Sequence, residues 1–356
     1  LVIGTLASAI CIFICFLRLP NRVPPLVMVV LPMQLWIMAS AMWSHTLGAT
    51  AINFVKCLLY ANALDLSIER LTQRQVMQAV GLATLAILLA SLGLCLSNPI
   101  FRISIGTEGW RGLFVQKNRL ASFCLFTMVL IIANLRRDRM MFWPLLALDL
   151  AMLILSQGKT EIFLLLLYVA LAGIMYAAVL GQQQIKPTLT MVTLVLASIF
   201  IGTCAITIFL IYDGQVDFTG RAFLWEWYLK DLGSEFLIGK GGITASADPL
   251  FVTRASSSGI PPTSDSSYIM IVYNNGIVGV GIFFYCAIRL FNAALGSRRK
   301  EFIWLISAVY CYICFAAMES DSRFMNYFST FAILILYGVL RKEANVPAED
   351  EAAPIP

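Results

Sequence analysis

The chain has 356 residues, 60% of them apolar and only 13% charged, with a net charge of +5. A mean hydropathy of +0.83 excludes an ordinary soluble domain and marks an integral membrane protein. Repeated apolar runs of roughly 17 to 25 residues match helices that cross the hydrocarbon core, and no run alternates in the manner of a barrel strand.

The fold class expected is all-α, with 11 transmembrane helices near 1–17, 24–43, 48–66, 76–97, 119–135, 141–156, 161–181, 188–212, 267–293, 302–318 and 324–340. Leu1 falls inside an apolar run with no initiator Met and no basic region before it. The N-terminus therefore reads as truncated, not as a signal peptide. The third helix is the weakest, being short and carrying Asn53, Lys56, Asn62 and Asp65. The intramembrane polar residues Lys56, Asp65 and Asp149 are functional candidates by default. The cysteines Cys11, Cys15, Cys57, Cys95, Cys124, Cys204, Cys286, Cys311 and Cys314 all fall within spans, which reads as helix packing rather than a disulfide framework.

Lys/Arg bias orients the helices. One set of connections holds Arg18, Arg22, Arg70, Arg74, the RRDR run from Arg136, Lys186, Arg289, the SRRK run at 297–300, Arg341 and Lys342, which makes 14 cations in short loops. The other set holds 10, spread over about twice as much sequence. The dense side is read as cytoplasmic. Segments 98–118, 156–161, 212–267 and 319–323 then share the periplasmic face. The expected organisation is helices 1–8 over 1–211, a large periplasmic loop with short helices over 212–267, helices 9–11 over 268–340 and a disordered acidic cytoplasmic tail over 341–356. No internal repeat of the transporter kind stands out.

The 212–267 segment is polar, Gly-dotted and rich in aromatics (Phe218, Phe223, Trp225, Trp227, Tyr228, Phe236), so it reads as ordered and functional. In GRAFLWEWYLKDL, Arg221 falls in the first turn of a helix, where guanidinium and exposed N–H groups together suit a phosphate. An arginine at headgroup level fits the same spacing. In GWRGLFVQKNRLASF, Arg111, Lys117, Asn118 and Arg119 suit an anion or sugar hydroxyls, or serve as interfacial cations beside Trp110. In SQGKTEIF, Lys159 faces a second phosphate or neutralises Glu161. Asp265, in PPTSDSSY, is either a helix cap or a carboxylate base. The outer turn with Glu319, Asp321 and Arg323 completes the outer set, pairing with the cations or helping to position a sugar. The lone histidine, His45, has no Cys or His partner near it, so no metal is expected.

Taken in order, four motifs carry a family resemblance. They are Gly112-x-Phe114-x-x-Lys117-Asn118, then Ser156-x-Gly158-Lys159-Thr160, then Gly220-Arg221-x-x-x-Trp225 with GKG at 239–241, and last DSSYIMIVYNNGIVG from Asp265 to Gly279. Together they resemble O-antigen ligases and Wzy-type O-antigen or exopolysaccharide polymerases. The resemblance implies a metal-independent inverting GT-C-like glycosyltransferase, multi-pass in the bacterial inner membrane, without cofactor or nucleic-acid partner. Its substrate is an undecaprenyl-pyrophosphate-linked glycan, and a chain-length regulator is a possible protein partner. The roles implied are pyrophosphate binding by Arg221, with Lys159 beside it, and base catalysis by Asp265, which stands where the family usually has His. Arg111, Lys117, Asn118, Arg119, Trp225, Tyr268, Glu319 and Arg323 are the implied substrate contacts. The Lys159–Thr160 pair looks like a polymerase, whose acceptor is the next lipid-linked repeat unit. A ligase would use lipid A–core instead. A transporter is the alternative from another class, and it requires charged or helix-broken sites near the bilayer midplane.

Overall fold

The computed structural model describes residues 25–104, 107–114, 116–134, 139–180, 221–243, 248–257, 259, 266–296, 302–318 and 328–344. The predicted helices at 1–17 and 188–212 lie outside the described residues, as does the tail beyond 344. The described part is overwhelmingly helical. Its long helices are α1 (Pro25–Ser40), α2 (Leu47–Arg70), α3 (Gln73–Ser97), α4 (Lys117–Asn134), α5 (Arg139–Ser156) and α6 (Lys159–Leu180). The loop helices α7 (Arg221–Leu232) and α8 (Pro249–Ser257) follow, then α9 (Ser267–Gly296), α10 (Phe302–Met318) and α11 (Phe328–Ala344). Five of the described helical stretches are long and apolar enough to cross a membrane. The weak third helix of the sequence reading runs to 24 residues, longer than 48–66, because its polar residues are shared out along its length. One small departure from all-α is a pair of two-residue strands, β1 (Ile103–Ser104) and β2 (Thr107–Glu108), paired antiparallel.

Helix ends meet in a way that gives the bundle two distinct faces. At one face the Lys342 ammonium donates to the carbonyls of Ile68, Glu69 and Leu71, satisfying the last carbonyls of α2. Gln73 donates to Asn134 there, joining the start of α3 to the end of α4. A capping box between Thr72 and Gln75 starts α3 at this face. The opposite face carries the ends of α1, α3 and α5 and the starts of α4 and α6.

Helix α4 is the axis of the bundle. Every side chain from Leu120 to Ile131 is buried, against α5, α6 and α11. Its two hydroxyls are satisfied inside the helix, Ser122 donating to the Asn118 carbonyl and Thr127 to Phe123. Thr127 also donates to Asp149 of α5, so one buried polar pair joins the two helices mid-span.

Helix α9 is different. Gly276 interrupts it with φ 68° and ψ −174°, a conformation that essentially only glycine adopts. The chain turns back sharply at that point. Tyr268 and Phe283 would lie ~22 Å apart along one straight helix, yet their ring centroids are 5.6 Å apart. The predicted single span 267–293 is therefore two helical limbs meeting at Asn275–Gly276. Residues 277–296 alone are ~30 Å long at helical rise, enough for a crossing.

The loop has its own small core. Tyr228 and Leu232 of α7, Phe251 and Ala255 of α8, and Met270, Val272 and Tyr273 of the first α9 limb pack together. The Tyr228 and Tyr273 rings meet edge to face at 5.1 Å, and the Tyr273 hydroxyl donates to Asp231 at 2.6 Å. The loop's packing unit thus extends past 267 to the break at Gly276, with the first limb wedged between loop and bundle.

Candidate functional site

Two clusters occupy the face opposite Lys342. The first joins 98–118 to 156–161. The Trp110 N–H donates to the Leu155 carbonyl and the Arg111 N–H to the Phe101 carbonyl. Gly109 sits so close to the Ser156 carbonyl and the Lys117 stem that a Cβ there would come within 2.6 Å and 2.8 Å of them. Gly112 is pressed against Ser91 in the same way, and Ser91 accepts from the Leu113 N–H at 3.3 Å. Both glycines have positive φ. This corner brings together the first two motif segments, which are about forty residues apart in sequence.

Within it, Arg111 is half-buried with its guanidinium 5.5 Å from the centre of the Phe101 ring. Arg102 lies over Trp110 and donates to the carbonyls of Cys95 and Leu96, closing the end of α3. Lys117, Asn118 and Arg119 form the half-buried first turn of α4. Glu161 is buried and accepts from the Ser122 hydroxyl at 3.2 Å. Lys159, first residue of α6, is exposed and pairs with no carboxylate among the described residues. Of the two sequence readings of Lys159, neutralisation of Glu161 is therefore corrected: Glu161 points inward to Ser122 while Lys159 points out.

The second cluster is built around the α9 break. The strap from Gly239 to Ile243 lies across it like a strand. Lys240 N–H donates to the Tyr273 carbonyl at 2.8 Å and Gly241 N–H to Asn274 at 2.7 Å. These are carbonyls that the interrupted helix leaves without intrahelical partners. Gly242 N–H donates to Ser40 Oγ at 2.9 Å, at the end of α1. Asn275 Nδ2 donates to the same Ser40 Oγ at 2.9 Å and to the Gly242 carbonyl at 3.3 Å. The indoles of Trp36 and Trp43 donate to the carbonyls of Asn275 and Gly239. A Cβ on Gly239 would reach the Asn275 and Gly276 nitrogens at 2.5 Å, and one on Gly276 would overlap the Leu237 carbonyl. The Gly-rich strap of the 212–267 segment is thus a pinned structural element.

The remaining expected residues are placed as follows. Arg221 is the first residue of α7, in its first turn, and Trp225 is half-buried on that helix. The Tyr268 hydroxyl, expected to contact substrate, donates to the Ile313 carbonyl of α10 at 2.8 Å, and its ring stacks on Phe284. Its role in the structure is to hold the first α9 limb against α10. Asp265, Glu319 and Arg323 lie outside the described residues. His45 is exposed. The six described cysteines carry free thiols. Sequence reasoning missed Ser40, Trp36, Trp43 and Asn275. The Asn-Gly pair at 275–276 is the signal that could have found them, since it marks turns far more often than helix interiors.

Protein-family models give no match to the chain, and no curated protein matches it significantly.

Proposed function

We propose that this chain is a membrane glycan polymerase of the Wzy type, working at the face opposite Lys342 and taking that face as periplasmic. The observation that supports it is convergence. The 112–118 and 156–160 segments meet at one corner, and the GKGG strap lies on the helix that follows Asp265, all at the same end of the bundle. Lys159 is exposed at that corner, and Arg221 opens helix α7 of the loop. In the reaction, an acceptor sugar hydroxyl of one lipid-linked repeat attacks the anomeric carbon of the chain on another. The bond from that carbon to the pyrophosphate oxygen breaks, and the pyrophosphate leaves with the electron pair. The hydroxyl proton passes to the Asp265 carboxylate. Arg221 and Lys159 stabilise the growing charge on the leaving group by charge-assisted hydrogen bonds.

Transport is the weaker reading. The helix break of α9 lies level with Ser40 at the end of α1, whereas a coupled transporter places its broken helices near the midplane. The test is reconstitution with undecaprenyl-pyrophosphate-linked repeats, with and without lipid A–core. Longer lipid-linked products without lipid A–core support the polymerase. Transfer to lipid A–core alone makes the protein a ligase.

A further inference from the structure

The loop subdomain carries apolar side chains where a water-facing loop would not. Phe236, Leu237 and Ile238, consecutive in the turn that precedes the strap, are 48%, 62% and 40% exposed. Trp43 ties its indole to the carbonyl of the next residue, Gly239, and is itself 43% exposed, with neighbouring Met42 at 80%. These side chains therefore form one patch rather than scattered exposures, which would need no explanation. The patch runs on into the outward side of α1 and α2, where Leu35, Leu47, Ile52 and Val55 are also exposed. In a membrane-crossing bundle that outward surface faces lipid. Among the described residues, another charged pair of the loop lies elsewhere, with Lys230 and Glu226 at 2.6 Å on the exposed side of α7. Among the described residues the Lys240–Glu235 pair borders the turn and is mutually neutralised, and Lys56, exposed beside Val55, borders the α2 side.

We infer that the 236–238 turn is a membrane-interface anchor, seated at the headgroup–acyl boundary beside Trp43. The occupant of the patch is lipid, because the patch is continuous with the lipid-facing side of α1 and α2 and carries the indole that such boundaries favour. The consequence for the loop is positional. Pinned by the strap to the α9 break and seated by this turn in lipid, it stays at headgroup depth instead of standing off in water. A pyrophosphate carried on a membrane lipid would lie at that depth, although the anchor follows from burial and position alone and holds whether or not the chain is a polymerase.

The test uses the full chain with its reactive cysteines replaced by alanine and an environment-sensitive fluorophore attached through Leu237→Cys. The protein is reconstituted in phosphatidylcholine vesicles with or without acyl-chain bromination. Leu35→Cys serves as the lipid-facing reference and Lys230→Cys as the aqueous one. The inference expects the label at 237 to be quenched by brominated lipid as strongly as at 35, and to be protected from iodide relative to 230. Iodide quenching at 237 equal to that at 230 overturns it. Quenching by neither agent also overturns it, since the patch would then be covered by protein. A matching thermal midpoint for the labelled and unlabelled chains certifies that the variant is folded.

Discussion

Helices α4 and α9 are the two most informative parts of the bundle, and they differ in one respect that decides what each does. Both are apolar runs that read as plain spans. Helix α4 is unbroken and buried from Leu120 to Ile131, packed mainly against other helices. Helix α9 breaks at Gly276; its opened carbonyls accept from the strap N–H groups of Lys240 and Gly241 and from the Trp36 indole, while the Asn275 side chain donates to Ser40 at the end of α1. A continuous helix satisfies its own backbone and needs no distant partner; the Tyr168 hydroxyl on the Val129 carbonyl of α4 is an added bond, not a replacement. An interrupted one must recruit partners, and the recruited partners here fix the loop onto the bundle.

The largest expected effect is at the break itself. Gly276→Val places a branched side chain at a glycine-only backbone conformation and against the Leu237 carbonyl, so the strain alone is on the order of 1–3 kcal/mol before the clash is added. The expected outcome is a chain whose 221–257 region becomes readily cleaved by protease while the bundle remains folded. A protease-resistant loop in this variant would mean that the break does not hold it. Asn275→Ala should follow with a smaller loss. It removes both side-chain donations to Ser40 and Gly242 in a buried setting, at a cost of about 1–3 kcal/mol. Thermal unfolding checks this, and Asn275→Gln, which keeps the amide but misplaces it, should fall between.

Helix α4 gives the contrasting prediction. Asp149 is fully buried, and among the described residues no cation pairs with it. Its partners are the Thr127 hydroxyl and the Cys124 thiol. Asp149→Asn keeps a hydrogen-bond acceptor for that hydroxyl without the burden of a buried carboxyl. Stability in detergent should therefore be unchanged or slightly raised, and activity retained. A folded Asp149→Asn protein without activity would move this carboxyl from packing to mechanism.

Much of the bundle was legible in the amino-acid order, because long apolar runs separated by cationic turns have few other solutions. Nine of the predicted helices have counterparts among the described residues, with ends within a few positions. What stayed hidden was non-local. Nothing in the local composition of Ser40 or Trp36 announces a bond to residues more than two hundred positions away. The hydropathy of 267–293 hid the break because Asn-Asn-Gly is a short interruption in a long apolar average. At the site, the meeting of 109–118 with 156–161 was legible only as a shared face. The inward turn of Glu161 toward Ser122 depends on helix rotation, which a polar residue near a span end does not specify.

The most direct test of the account is polymerisation by the purified protein in vesicles, measured as lengthening of undecaprenyl-pyrophosphate-linked repeats in the presence of a chelator. Wild-type protein is expected to give a ladder of longer lipid-linked chains. Arg221→Ala and Asp265→Ala are expected to give none while unfolding at the wild-type temperature. A ladder from Asp265→Ala equal to that of the wild type, or no lengthening at all by folded wild-type protein, would contradict it.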